Sequence, residues 1–128
     1  MIIKIPYPPT INSYWGFNGN RRFLTAKARQ FKADVAAAVL GLPHLGDARL
    51  SIQITLHASD RRVRDIDNVL KPTLDALVQA GLFEDDGQVD RLLVIRGDVE
   101  KNGCAVLDIA KISTQNADSA VTGVKGGV

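Results

Sequence analysis

The chain contains a single cysteine, Cys104, which excludes an internal disulfide and any zinc site built on several thiolates. Its setting, Cys104-Ala-Val-Leu107, is that of a small core residue. Long hydrophobic runs are also missing. The longest apolar stretches, such as Val35 to Leu40, are far too short to cross a bilayer, and the start Met1-Ile2-Ile3-Lys4 has no signal-peptide core. A soluble, cytoplasmic protein with no membrane partner is therefore expected. Charge of one sign is scarce too: a formal net charge of +2 does not by itself announce a nucleic-acid partner. What is present, 128 residues of which 45% are hydrophobic, suffices for one globular domain with one core.

The small net charge hides a segregated pattern. Arg21 to Lys32 carries five cations (Arg21, Arg22, Lys27, Arg29, Lys32) and no acid, and Arg61, Arg62 and Arg64 add three more. Glu84, Asp85, Asp86 and Asp90 crowd together within seven residues. A solvated charged face accounts for any one such patch. Two basic segments and one acidic knot together favour a phosphate-binding surface around a cation site.

Hydrophobic periodicity predicts the elements. Ile2 to Ile5 reads as a short strand ended by Pro6, Pro8 and Pro9, and Thr10 to Arg22 as an irregular, turn-rich loop holding Tyr14 and Trp15. The two aromatics are read as cover for a core edge. Thr25 is placed to cap a helix running to about Leu40, with Phe31, Val35 and Val39 on its apolar stripe. Ile52, Ile54 and Leu56 alternate with polar residues at the period of a half-buried strand. A second helix is expected from Asn68 to Ala80, capped by Asp67 or Asn68, with Pro72 in its first turn and Gly81 at its end. Strands around Val89 to Arg96 and Ala105 to Ile112, joined through the Asn102-Gly103 turn, are expected to pair as a hairpin. Residues 1–112 then form the domain, and 113–128 a disordered tail. His44 and His57 are expected to be solvated.

Asp65-Ile66-Asp67 lies between a strand and a helix. In extended backbone its two carboxylates project to one side, as a pincer for a divalent cation. Asp86 supplies a third acid if the following helix folds back, and Lys71, four residues after Asp67, lies on one helical face with it. Spacing alone leaves the ordinary alternatives open: helix capping for Asp65 and Asp67, a simple turn for Asp86-Gly87, and a surface ion pair of Lys71 with Asp67 or Asp75.

The order of motifs narrows the choice. Asp60-Arg-Arg-Val-Arg-Asp65-Ile-Asp67-Asn68-Val-Leu-Lys71, then Asp75-Ala-Leu, then Ala80-Gly-Leu-Phe-Glu-Asp85-Asp86-Gly-Gln88-Val89 resembles the signature of RusA-type Holliday junction resolvases. Ile5-Pro-Tyr-Pro-Pro-Thr-Ile-Asn12-Ser-Tyr-Trp15 is similar to that family's opening motif, and the resemblance spans roughly Ile3 to Ile112. It implies an α+β fold, a small mixed sheet of about four strands packed against two main helices. It also implies a homodimeric, magnesium-dependent endonuclease, with manganese able to substitute, that cuts four-way DNA junctions symmetrically in recombination and repair and is often encoded by prophages. By matching position, Asp65, Asp67 and Asp86 become catalytic and metal-binding residues, and Lys71 a catalytic one. Phosphate contacts are expected from Arg21, Arg22, Lys27, Arg61, Arg62, Arg64, Asn68, Arg91 and Arg96. The alternatives are a non-catalytic branched-DNA binder and a nuclease for flaps and forks. An RNase H-like nuclease is disfavoured, because no acidic residue precedes Asp34.

Overall fold

The computed structural model describes residues 1–113, so the expected tail lies outside the described residues except for Ser113. The architecture is α+β. Strand β1 (Ile2–Ile5) is followed by a short helix α1 (Ile11–Tyr14), strands β2 (Trp15–Asn18) and β3 (Arg21–Leu24), and helix α2 (Ala26–Val39). Then come β4 (Leu50–His57), helix α3 (Leu70–Gln79), β5 (Val89–Arg96) and β6 (Cys104–Lys111). The main sheet has the order β1-β6-β4-β5, with β4 and β5 parallel and the other neighbours antiparallel.

Alternation in the sequence sets which face is buried. Leu50, Ile52, Ile54 and Leu56 of β4 are buried with Leu107 and Ile109 of β6, and Phe31 and Val35 of α2 and Leu77 of α3 join the same core. Cys104 is buried as expected, and burial, together with the neighbouring Glu100, raises its thiol pKa. Thr25 caps α2 as predicted: its Oγ1 accepts a hydrogen bond from the amide of Ala28 at 3.2 Å.

Three expectations are corrected. The segment read as an irregular loop folds into α1 and the β2-β3 hairpin, turning through Gly19-Asn20 with Gly19 at φ 65. Its strands are too short to show a period, and Gly16 leaves room for the Phe23 ring of the paired strand, where a Cβ would come within 2.5 Å.

The second correction concerns β5 and β6, which do not pair as a hairpin, since β4 lies between them. β6 buries four of its first six residues, whereas β5 exposes Leu92, Leu93 and Ile95, so the better-buried strand takes the interior place. The connection 97–103 crosses the end of β4. There the Gly97 amide donates to the Leu56 carbonyl at 2.9 Å and the Glu100 amide to the Ala58 carbonyl at 3.0 Å. His57, expected to be solvated, pins this crossing: its Nδ1 lies 2.8 Å from the Asp98 carbonyl and 3.1 Å from the Glu100 carboxylate. His44 is exposed, with Nδ1 2.5 Å from the Gly81 carbonyl.

The third correction is at the start of α3. A 3-10 turn, Ile66–Val69, precedes the helix, and neither Asp67 nor Asn68 caps it, Val69 standing at that position. Pro72 sits in the first turn of α3 as expected, where a missing N-H costs little.

Candidate active site

Lys71 is the best-tied of the expected catalytic residues. It projects from the first turn of α3, and its Nζ reaches the Asp86 carboxylate at 2.9 Å and the Asp75 carboxylate at 3.0 Å. The hydrogen bond it donates to Asp86, then that to Asp75, raises its pKa well above the usual lysine range, so it is cationic at any working pH. Asp75 lies one turn on, at i+4, on the same helix. Asp86 arrives from the turn after α3, and that turn is built by its neighbours. The Asp85 carboxylate accepts from the Gly87 amide at 3.0 Å, and Gln88 Oε1 accepts from the amides of Glu84 and Asp85 at 3.0 and 2.9 Å. The buried Gln88 amide then donates to the carbonyls of Gly46 and Ala48 at 2.9 and 2.6 Å. One side chain thus fastens the acidic turn to the segment leading into β4.

Tyr14 closes the inner side of this corner. It is 2% exposed, and its hydroxyl is the one buried side-chain oxygen or nitrogen without a hydrogen-bond partner among the described residues. Burial raises its pKa, the charge of Asp75 adds to the rise, and that of Lys71 opposes it. The Trp15 ring meets Tyr14 edge-on at 5.4 Å, and the Arg22 guanidinium lies 3.9 Å from the Trp15 ring centre. The reading of the two aromatics as cover for a core edge holds for Tyr14, whereas Trp15 is half-buried.

The Asp65-Asp67 side is arranged differently. Asp65 has extended backbone, but Asp67 lies within the 3-10 turn, so strand alternation does not aim the two carboxylates together. For the same reason Lys71 finds Asp75 and Asp86 and not Asp67. Both Asp65 and Asp67 are exposed, Asp65 makes no capping bond, and neither carboxylate has a hydrogen bond or ion pair among the described residues. No group of three or more His, Cys, Asp or Glu residues among the described ones stands close enough to cage a metal.

Asp65 borders an open groove between the proline-rich segment after β1 and the start of α2, with Lys27, Arg62, Arg64 and Asn68 also on its walls. Arg61, Arg62 and Arg96 line a second groove. Between the grooves, Asp60 binds Arg64 Nη1 at 2.8 Å and Arg62 Nε at 3.1 Å, and these bonds hold its carboxyl well below the usual carboxylate range.

With acids, lysine and cation-lined grooves in place, comparison with known proteins decides the family. The model of the family described as Endodeoxyribonuclease RusA matches residues 6–109. The chain belongs to the RusA family. It is accordingly similar to proteins named crossover junction endodeoxyribonuclease RusA from several sources. Identity is 40% with that of Enterobacteria phage HK97, covering 73% of this chain and 79% of the relative. It is 35% with that of Enterobacteria phage 82 and 34% with that of Escherichia coli strain K12, each covering 88% of this chain and 96% of the relative. The RusA family is one of endonucleases, and this chain is an enzyme of that class.

Among the four residues expected to be catalytic in this RusA domain, contact unites only Lys71 and Asp86. Asp65 shares a groove with Lys27, Arg62, Arg64 and Asn68, while Arg61 and Arg96 stand in the second groove with Arg62. Arg21 and Arg22 lie on β3 and line neither groove, nor does Arg91, which donates to Ser51 Oγ at 3.2 Å. Gln88 escaped the sequence reading as a functional support, although Asp85-x-x-Gln88 is a capping-box spacing. Asp75 entered only as a surface partner of Lys71, and its i+4 spacing gave no sign that Asp86 would join the same ammonium.

Proposed function

We propose that this chain is a magnesium-dependent, structure-specific endonuclease that resolves four-way DNA junctions as a homodimer, in recombination and repair. The observation that carries the reading is that the carboxylates of Asp65 and Asp67, in a chain of this family, make no hydrogen bond or ion pair among the described residues, while Asp65 opens onto a groove lined by Lys27, Arg62 and Arg64. Carboxylates used as caps would support the non-catalytic alternative, and here Asp85, not Asp86, caps the acidic turn.

Asp65, Asp67 and Asp86 offer only oxygen donors. They do not converge into a three-carboxylate cage in this fold, but oxygen donors of this kind suit a hard cation that takes few protein carboxylates and completes its shell with water and phosphate. When bound, such a cation supplies an activated water and Lewis-acid stabilisation of the leaving oxygen. The chain's own residues do the rest. Asp65 presents an unpaired carboxylate to the groove, with Asp67 two residues further on, and Arg62, Arg64 and Lys27 draw a phosphate backbone alongside it through salt-sensitive contacts. Lys71, held by Asp75 as well as Asp86, keeps an ammonium in place for the charge that builds on the phosphodiester. Two-fold symmetry of a dimer presents two such sites to a roughly two-fold substrate.

The test is cleavage of a four-way junction and of matched linear duplex, with and without magnesium, by the parent chain and Asp67→Asn. Junction-selective, magnesium-requiring nicking that the variant loses while still binding is expected. Equal cutting of linear duplex removes junction specificity, and undiminished cutting by the variant removes the proposed centre.

A further inference from the structure

The loop that carries Arg61 to Arg64 stands between the two grooves, and Arg62 and Val63 line both of them. Val63 is at its crest: 96% exposed, it is the most exposed large hydrophobic side chain among the described residues. A lone exposed valine on a mobile loop means little. This loop is not free to bend the valine down. Asp60 accepts from the Arg62 amide at 3.0 Å, from Arg62 Nε at 3.1 Å and from Arg64 Nη1 at 2.8 Å, and Arg64 Nη1 also donates to the Arg62 carbonyl at 3.2 Å. The valine is therefore held into water by a network centred on one carboxylate. Cations flank it on both sides, and Arg61 and Arg96 have no acidic partner among the described residues. The next residue after this loop's last arginine is Asp65.

We propose that residues 60–64 form a ridge that divides two DNA strands at a branch point, with Val63 as an apolar wedge against unstacked bases. The arginines of the two grooves take the separated backbones. An apolar wedge inserted into continuous duplex must repay the loss of base stacking. At a branch point the stack is already interrupted, so the wedge meets an apolar base face at little cost. Val63 thereby selects branched over linear DNA by shape, and sets the strand in the first groove beside Asp65. This inference rests on the junction-cleaving reading above.

The experiment places 2-aminopurine, whose fluorescence rises when it unstacks, at the exchange point of a four-way junction. Saturating full-length protein is added without divalent cation. The parent chain should raise the signal on the junction and leave matched duplex unchanged. At concentrations that keep it saturated on the junction, Val63→Ser should lose most of the rise and much of the preference for junction over duplex, and Val63→Phe should restore both. A full rise with bound Val63→Ser overturns the wedge, and so does an equal rise on duplex with the parent chain. If the parent chain binds and cuts junctions while Val63→Ser matches it in fluorescence, the wedge alone falls. If the parent chain neither prefers nor cuts junctions, the functional reading falls and takes the wedge with it.

Discussion

The two halves of the candidate site differ in how far the protein satisfies its own charges. On the α3 side every partner is in place: Lys71 sits between Asp75 and Asp86, and Gln88 ties the acidic turn to the chain before β4. On the side of the loop after β4 the cations are clamped by Asp60, but Asp65 and Asp67 are left without a partner among the described residues. The first half is assembled by folding. The second, on the proposed function, awaits something that brings positive charge, and this division is expected to separate residues whose loss harms structure from residues whose loss harms chemistry.

The sharpest contrast is expected at Asp67. Its conversion to Asn should lower junction cleavage by a factor on the order of 100 or more, the scale of losing one transition-state stabilising group, with an unchanged melting temperature. A clear fall in thermal stability would mean that the unpaired half is structural after all. Gln88→Leu probes the other half. It removes four hydrogen bonds between a buried side chain and the backbone and leaves only the bond from the Glu84 amide to the Gly46 carbonyl, at 3.2 Å, among those contacts, so unfolding in denaturant should show a loss of about 2–3 kcal/mol, with cleavage falling as Asp86 loses its position. Unchanged stability would mean that the acidic turn is held by other contacts.

Asp75→Asn should act more mildly. Lys71 keeps Asp86, and its side chain is 59% exposed, so stability should move by less than about 1 kcal/mol. Cleavage should fall several-fold in kcat with KM for the junction little changed; a change confined to KM would make Asp75 a binding residue. The smallest effect is at Asp60. Its carboxyl pKa is depressed in the fold, so the clamp contributes fully above the unfolded value of about 4 and is lost as pH falls below it, through the folded value. Asp60→Asn should therefore speed amide exchange in residues 60–64 at neutral pH with little change in global stability, and its melting curve should merge with the parent's in strong acid. Equal exchange at neutral pH would show that the ridge is rigid without the clamp.

Much of this was legible in the residues themselves. The alternation Ile52, Ile54, Leu56 shows a strand's buried face directly, and Thr25 announces a cap, because both signals act within a few positions of the chain. The ordered motifs around Asp65, Lys71 and Asp86 pointed to the family that residues 6–109 match. The β2-β3 hairpin was not legible, since four-residue strands broken by Gly16 carry no usable period. Neither was the 3-10 turn that holds Asp67, which makes no ion pair with Lys71.

By itself, then, the sequence determined the elements with strong periods and the helix cap, and it named the residues proposed to hold a cation or meet phosphate. Tertiary structure alone decided that β4 lies between β5 and β6, that Gln88 reaches the carbonyls of Gly46 and Ala48, and that Lys71 joins Asp86 and not Asp67. The physical reason is range. Propensity and periodicity act over one or two turns of chain, whereas strand order and ion-pair partners are chosen by burial and packing among segments about 15 to 40 residues apart, which no local pattern encodes.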